Sequence, residues 1–161
     1  MPKAAGWFGL AAAIVLVDQA SKWAVLASFA PGERLRVAGF FNLVLVFNKG
    51  AAFSFLAGAP GWQTPLFVAI ALAATVVVSA LLLRSSGRRM FSAALALILG
   101  GALGNVIDRL RFGLVVDFLD FHAFGLHWPA FNVADSAITV GAGLLIIESF
   151  LQRKPDAAHG G

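Results

Sequence analysis

Residues 66–83 form an unbroken run without a charged side chain, bracketed by Pro65 and Arg84. As a helix rising 1.5 Å per residue, the run is about 27 Å long, close to the hydrocarbon thickness of a bilayer. Backbone in that medium must satisfy its own polar groups, so the run reads as a membrane-spanning helix, and Pro65 suits its first turn. The rest of the chain fits the same solvent. Of its 161 residues, 60% are hydrophobic and 12% charged, about half the charged share of a soluble domain.

Three more spans follow from the same logic, at residues 7–30, 90–106 and 133–151, with the run above extending over 64–83. Lys3 and the apolar run after it resemble a signal peptide, but no small-residue cleavage site follows, and Asp18, Ser21 and Lys22 lead into further apolar sequence. Asp18 stands roughly 16 Å into the first helix. A carboxylate at that depth costs on the order of 2.5–3.5 kcal/mol, so it should face protein or a wet cavity. Lys22 lies one turn on and can pair with it. In the third span Gly100 and Gly104 make a GxxxG pair, the pattern of close helix packing. Residues 155–161 read as a disordered tail.

Pro31 and Gly32 end the first helix, and residues 35–55 are β-branched, aromatic and partly alternating, with Asn48-Lys49-Gly50 as a turn. The expected fold is an all-α membrane protein of four transmembrane helices, one domain over residues 1–161, with a small β-rich segment at the membrane surface. Positive charge sets the orientation. Lys3, Arg84, Arg88, Arg89, Arg153 and Lys154 abut span ends, which makes both termini cytoplasmic and turns residues 31–63 and 107–132 outward. Trp23, Trp62 and Trp128 then fall near the outer interface and Trp7 near the inner one.

A net charge of +4 is spread between apolar runs, which favours an anionic membrane surface over nucleic acid as its partner. Cysteine is absent, so thiol nucleophiles and thiolate metal sites are excluded. No HExxH motif offers a metal site, His122 and His127 are poor candidates for one, and no GxSxG elbow occurs. Ser21 and Lys22 are adjacent on a helix and do not face each other. Neither a metal nor a cofactor is expected.

What the chain does concentrate is acid. Four of its eight acidic residues, Asp108, Asp117, Asp120 and Asp135, lie within residues 100–136, and the topology brings them to one level of the membrane with Asp18. Two carboxyls held close share a proton, so that one can take a proton from water while the other polarises a carbonyl. The plainer alternatives are a pair of Asp108 with Arg109 and a helix N-cap at Asp135. Spacing alone does not choose the reacting pair.

The sequences DQASKW at 18–23, FNKGAAFSFL at 47–56, GGALGNVIDR at 100–109, VVDF at 115–118 and FNVADSAITVG at 131–141 resemble, in order, the motifs of signal peptidase II, the bacterial membrane aspartyl protease that processes lipoproteins. Lys49 and the link from 118 to 129 depart from the family pattern. The resemblance implies a catalytic pair of Asp117 and Asp135. It implies substrate-binding roles for Asn48, Asn105, Arg109 and Asn132, and supporting roles for Asp18, Lys22, Gly104, Asp108 and Ala134; Asp120 matches no motif position. It further implies a prolipoprotein substrate carrying diacylglycerol on its lipobox cysteine, cleavage on the amino side of that cysteine, inhibition by globomycin, and a place in the bacterial inner membrane with the site on the extracytoplasmic face. Phe53 and Phe55 are candidates for acyl-chain contact. The protein is expected to act as a monomer. The competing class is a small proton-coupled carrier, which should keep its acid at the midplane and show related halves; neither feature is visible.

Overall fold

The four apolar runs are helices in the computed structural model, which describes residues 2–49, 62–85 and 87–152. They are α1 (Pro2–Ser28), α2 (Gln63–Arg84), α3 (Arg89–Phe112) and α4 (Val133–Gln152), and each is long and apolar enough to cross a membrane. Strands β1 (Arg34–Ala38), β2 (Phe41–Asn48), β3 (Val115–Ala123) and β4 (Leu126–His127) form an antiparallel sheet in the order β1-β2-β3-β4.

α3 is the axis of the bundle, packing against α1, α2 and α4. Small residues let it do so. A Cβ at Gly100 would stand 2.7 Å from the Ala11 carbonyl oxygen of α1, and one at Gly141 of α4 would stand 2.7 Å from that of Ala94. Helix association in lipid depends on this kind of close backbone approach, because apolar side chains gain little by leaving lipid for protein. α2 is the outlier. Only 6% of its apolar window is buried, and Ile70, Val76 and Val77 point away from the protein.

One apolar cluster, Ala11, Leu82, Leu95 and Leu99, joins α1, α2 and α3. A second, Val25, Leu45, Val116 and Phe118, wedges the sheet against the end of α1. That second cluster places β3 directly over the helix ends.

Two expectations, about the hairpin turn and the end of the third helix, need correction. The β1–β2 turn is Gly39-Phe40, with Ala38 opposite Phe41. Asn48 is not in that turn: it ends β2 and pairs with Val115. The third helix does not stop at residue 106 but continues to Phe112, because the polar groups at Asn105 and Asp108 are buried by partners rather than released to water. Gly113 at φ +74° then ends it, its N–H donating to the Arg109 carbonyl at 3.0 Å. The segment 107–132 holds β3, the strand that neighbours both β2 and β4. Phe53, Phe55 and the 155–161 tail lie outside the described residues.

Candidate active site

A lysine and two carboxylates tie the helix ends together. Lys22 Nζ on α1 lies 2.8 Å from Asp18, 2.8 Å from Asp108 on α3, and donates to Asn105 Oδ1 at 3.0 Å. An ammonium has three protons, and all three are used. Asp18 and Lys22 are 0% and 2% exposed, and Asp108 is equally buried. Gln19 closes the group, its amide nitrogen donating to Asp108 Oδ1 at 2.9 Å and to the Gly104 carbonyl at 3.1 Å. The close approach here needs Gly104, since a Cβ on it would stand 2.6 Å from Asp18 Oδ2 and 3.3 Å from the Ala134 Cβ.

Each of these two acids also holds a stretch of backbone. Asp18 Oδ1 accepts the Ala134 N–H at 2.9 Å, and Asp108 Oδ2 accepts the Val116 N–H at 3.1 Å. Ala134 immediately precedes Asp135, and Val116 immediately precedes Asp117. The lysine-bridged pair thus fixes the chain beside both remaining carboxyls of the site.

Two asparagines then orient those carboxyls. Asn132 is the N-cap of α4: its Oδ1 accepts the Asp135 N–H at 2.9 Å. With its oxygen so engaged, its Nδ2 faces Asp117 Oδ1 at 2.7 Å. Asn105 Oδ1 faces Lys22, which has no acceptor, so its Nδ2 faces Asp135 Oδ1 at 2.7 Å. Asn132 Nδ2 also reaches Asn105 Oδ1 at 3.2 Å, linking the two halves. Asp117 Oδ2 receives a further hydrogen bond from Asn48 Nδ2 at 3.0 Å. The N-cap reading of Asp135 therefore passes to Asn132, leaving the Asp135 side chain for other work. The pairing of Asp108 with Arg109 is replaced by Asp108 with Lys22, because Arg109 turns back to the Asn105 carbonyl at 3.3 Å and over the Phe67 ring at 5.4 Å.

Asp117 is almost fully buried, whereas Asp135, Asn48 and Arg109 are partly open. Burial pushes the Asp117 carboxyl up to about 7; the Asn48 hydrogen bond opposes the rise and the Asp135 charge adds to it. A buried carboxyl that keeps its proton near neutral pH, beside a second carboxyl, is an arrangement for general acid–base chemistry on a water molecule.

Asp120 goes elsewhere. It is buried on β3 beside Asn42 Nδ2 at 2.8 Å and His127 Nδ1 at 2.7 Å, with Arg34 Nε at 3.6 Å. Its burial is outweighed by the hydrogen bonds from His127 and Asn42, which hold its carboxyl below the usual range. Because a carboxylate only accepts, His127 Nδ1 carries the proton.

A model of the family signal peptidase (SPase) II matches residues 10–151. The chain belongs to the signal peptidase II family. A lipoprotein signal peptidase of Ralstonia nicotianae is 60% identical over 142 residues, which are 88% of this chain and 82% of the relative. One of Paraburkholderia phytofirmans is 59% identical over 144 residues, 89% of this chain and 84% of the relative. Two solved bacterial membrane enzymes, obtained by the in meso method, superpose with TM-scores of 0.82 and 0.83 at 31% and 30% identity. They cover 94% and 98% of this chain, and the matches span 95% and 94% of theirs. Signal peptidase II is a protease family, and the proton-coupled carrier gives way to it. Gln19 was not singled out from the sequence, although it sits beside Asp18; a lone glutamine in an apolar helix has no spacing signature. Asp18, Lys22, Asn105, Asp108, Arg109, Asn132 and Ala134 do converge with Asn48, Asp117 and Asp135 on one site.

Proposed function

We propose that the chain is an aspartic endopeptidase that removes signal peptides from diacylglyceryl-modified prolipoproteins, cutting on the amino side of the lipidated cysteine. The observation that carries this is the pair of linked asparagines, Asn132 donating to Asp117 and Asn105 donating to Asp135. In this reading the Asp135 carboxylate takes a proton from water while protonated Asp117 donates to the scissile carbonyl. The oxygen of that water bonds to the carbonyl carbon, and as the C–N bond breaks the proton taken by Asp135 passes to the departing amide nitrogen while one hydroxyl of the tetrahedral intermediate returns its proton to Asp117. Arg109 and Asn48, both partly open, hold the substrate backbone, and the buried Asn105 and Asn132 orient the acids.

The same reading places the protein in the bacterial inner membrane as a monomer, with both termini cytoplasmic and the site and sheet at the extracytoplasmic face. Trp23, Trp62 and Trp128 are exposed, as interfacial side chains would be. A signal helix and acyl chains both reach such a site through lipid.

The deciding experiment incubates the purified protein with a diacylglyceryl-modified precursor, with and without globomycin. Globomycin-sensitive cleavage is expected, with D117N and D135N inactive yet inserted in the membrane. Normal turnover by either variant would overturn the assignment of the pair.

A further inference from the structure

An apolar groove of about 910 Å³ opens between the first turns of α1 and the last turn of α2. Ala5 and Phe8 line one side and Leu82 and Leu83 the other, with Arg88 and Arg89 completing the wall. It is remote from the carboxylates, since Arg89 stands roughly 28 Å along the α3 axis from Asp108. α1 and α2 barely touch each other here, and a Cβ on Gly6 would meet nothing within 4 Å. Leu83 is 64% exposed, so the groove opens sideways, where the bilayer lies. Lipid chains rather than water fill an apolar gap with that outlook.

Among the described residues the charge at the same place is matched only in part. Arg88 pairs with Glu148 of α4 at 3.2 Å and lies over the Phe91 ring at 4.0 Å. Among the described residues no carboxylate pairs with Arg89. Both arginines stand at the start of α3, whose first turn contains no acid, so they add positive charge where the helix dipole already supplies it. A phosphate answers that demand, because a guanidinium offers it a planar fork of donors. Basic pockets between transmembrane helices are known places for anionic headgroups.

We propose that this groove binds one anionic phospholipid, an acyl chain lying between α1 and α2 and the phosphate against Arg88 and Arg89. The lipid then completes a helix–helix contact that side chains leave open.

The test measures lipid retention by the full-length protein in detergent, by native mass spectrometry, using phosphatidylglycerol and phosphatidylcholine with identical chains. Wild type should prefer phosphatidylglycerol by about fivefold for each arginine engaged, and R89Q should lower that preference about fivefold. Arg89 is exposed, so this variant keeps the fold. Gly6→Leu fills the groove and should reduce retention of both lipids. Equal retention of the two lipids by wild type, an unchanged preference in R89Q, or unchanged retention in Gly6→Leu would overturn the proposal. Displacement of bound phosphatidylglycerol by glycerol phosphate at equal concentration would also overturn it, by showing a bare anion site.

Discussion

Lys22 on α1 and Asp108 on α3 meet at 2.8 Å, both almost completely buried. Through Asp108 the contact reaches the Val116 N–H beside Asp117, and through Asp18, also 2.8 Å from Lys22, it reaches the Ala134 N–H beside Asp135. One ammonium therefore sets the positions of both carboxyls at the site without touching either.

Lys22→Met should be among the most destabilising single changes. It leaves Asp18 and Asp108 as two buried acids with no cation between them, and breaking a buried pair in this way costs ~3–5 kcal/mol. The measurement is thermal unfolding of the detergent-solubilised protein, and a loss below ~1 kcal/mol would contradict the bridge.

The pH dependence should report Asp117. Its carboxyl, pushed up to about 7, must hold a proton in the proposed reaction, so kcat/KM should fall as pH rises through about 7. The Asn48 hydrogen bond favours the ionised form, so Asn48→Ala should move the alkaline limb to higher pH. A limb that stays fixed, or moves down, would separate Asn48 from Asp117. Stability follows the same sign: a carboxyl raised in the folded state contributes most below its unfolded value near 4 and loses that contribution as pH rises to about 7.

Asn132→Ala removes an N-cap and a donor to Asp117 together. Loss of the cap alone costs about 0.5–2 kcal/mol. Cleavage should fall by more than tenfold, because the Asp117 oxygen loses the partner that orients it. Asn132→Asp keeps an acceptor for the Asp135 N–H but faces Asp117 with a like charge, so it should restore the cap without restoring activity.

Gly104→Ala should cost ~1–3 kcal/mol, since its methyl would press on the Asp18 carboxylate 2.6 Å away and nothing flexible stands in between. Gly143→Ala is the control. No atom lies within 4 Å of a Cβ there, and helix propensity alone makes alanine about 1 kcal/mol better.

Asp120→Asn should leave most of the cleavage activity and lower stability by roughly 1–3 kcal/mol, because the hydrogen bonds to His127 and Asn42 lose their charge and one meets the wrong end of the amide. The wild-type contribution is present above the unfolded carboxyl value near 4 and disappears as pH falls below it, so the two proteins should converge in stability at low pH. Near-complete loss of cleavage would place Asp120 in the site.

By itself the sequence determined the solvent and the spans. Predominantly apolar runs of bilayer length have one stable state in lipid, a helix, so residues 66–83 and their three counterparts were legible without any partner. The polar residues of the site were legible as a set for the same reason: a charge or an amide inside such a run needs a partner, and Asp18, Lys22, Asn105 and Asp108 supply one another. Spacing did not divide the acids, and only the motif resemblance singled out Asp117 and Asp135. Asp117, Asp120 and Asp135 look alike along the chain, and what separates them is the sheet. β3 turns Asp117 towards Asn48 and Asn132 and Asp120 towards Asn42 and His127, and that strand is specified by pairing with β2, a long-range contact that local sequence does not encode. The N-cap at Asn132 rather than Asp135 was likewise a tertiary decision, because Asp18 from α1 takes the neighbouring Ala134 N–H and fixes where α4 begins.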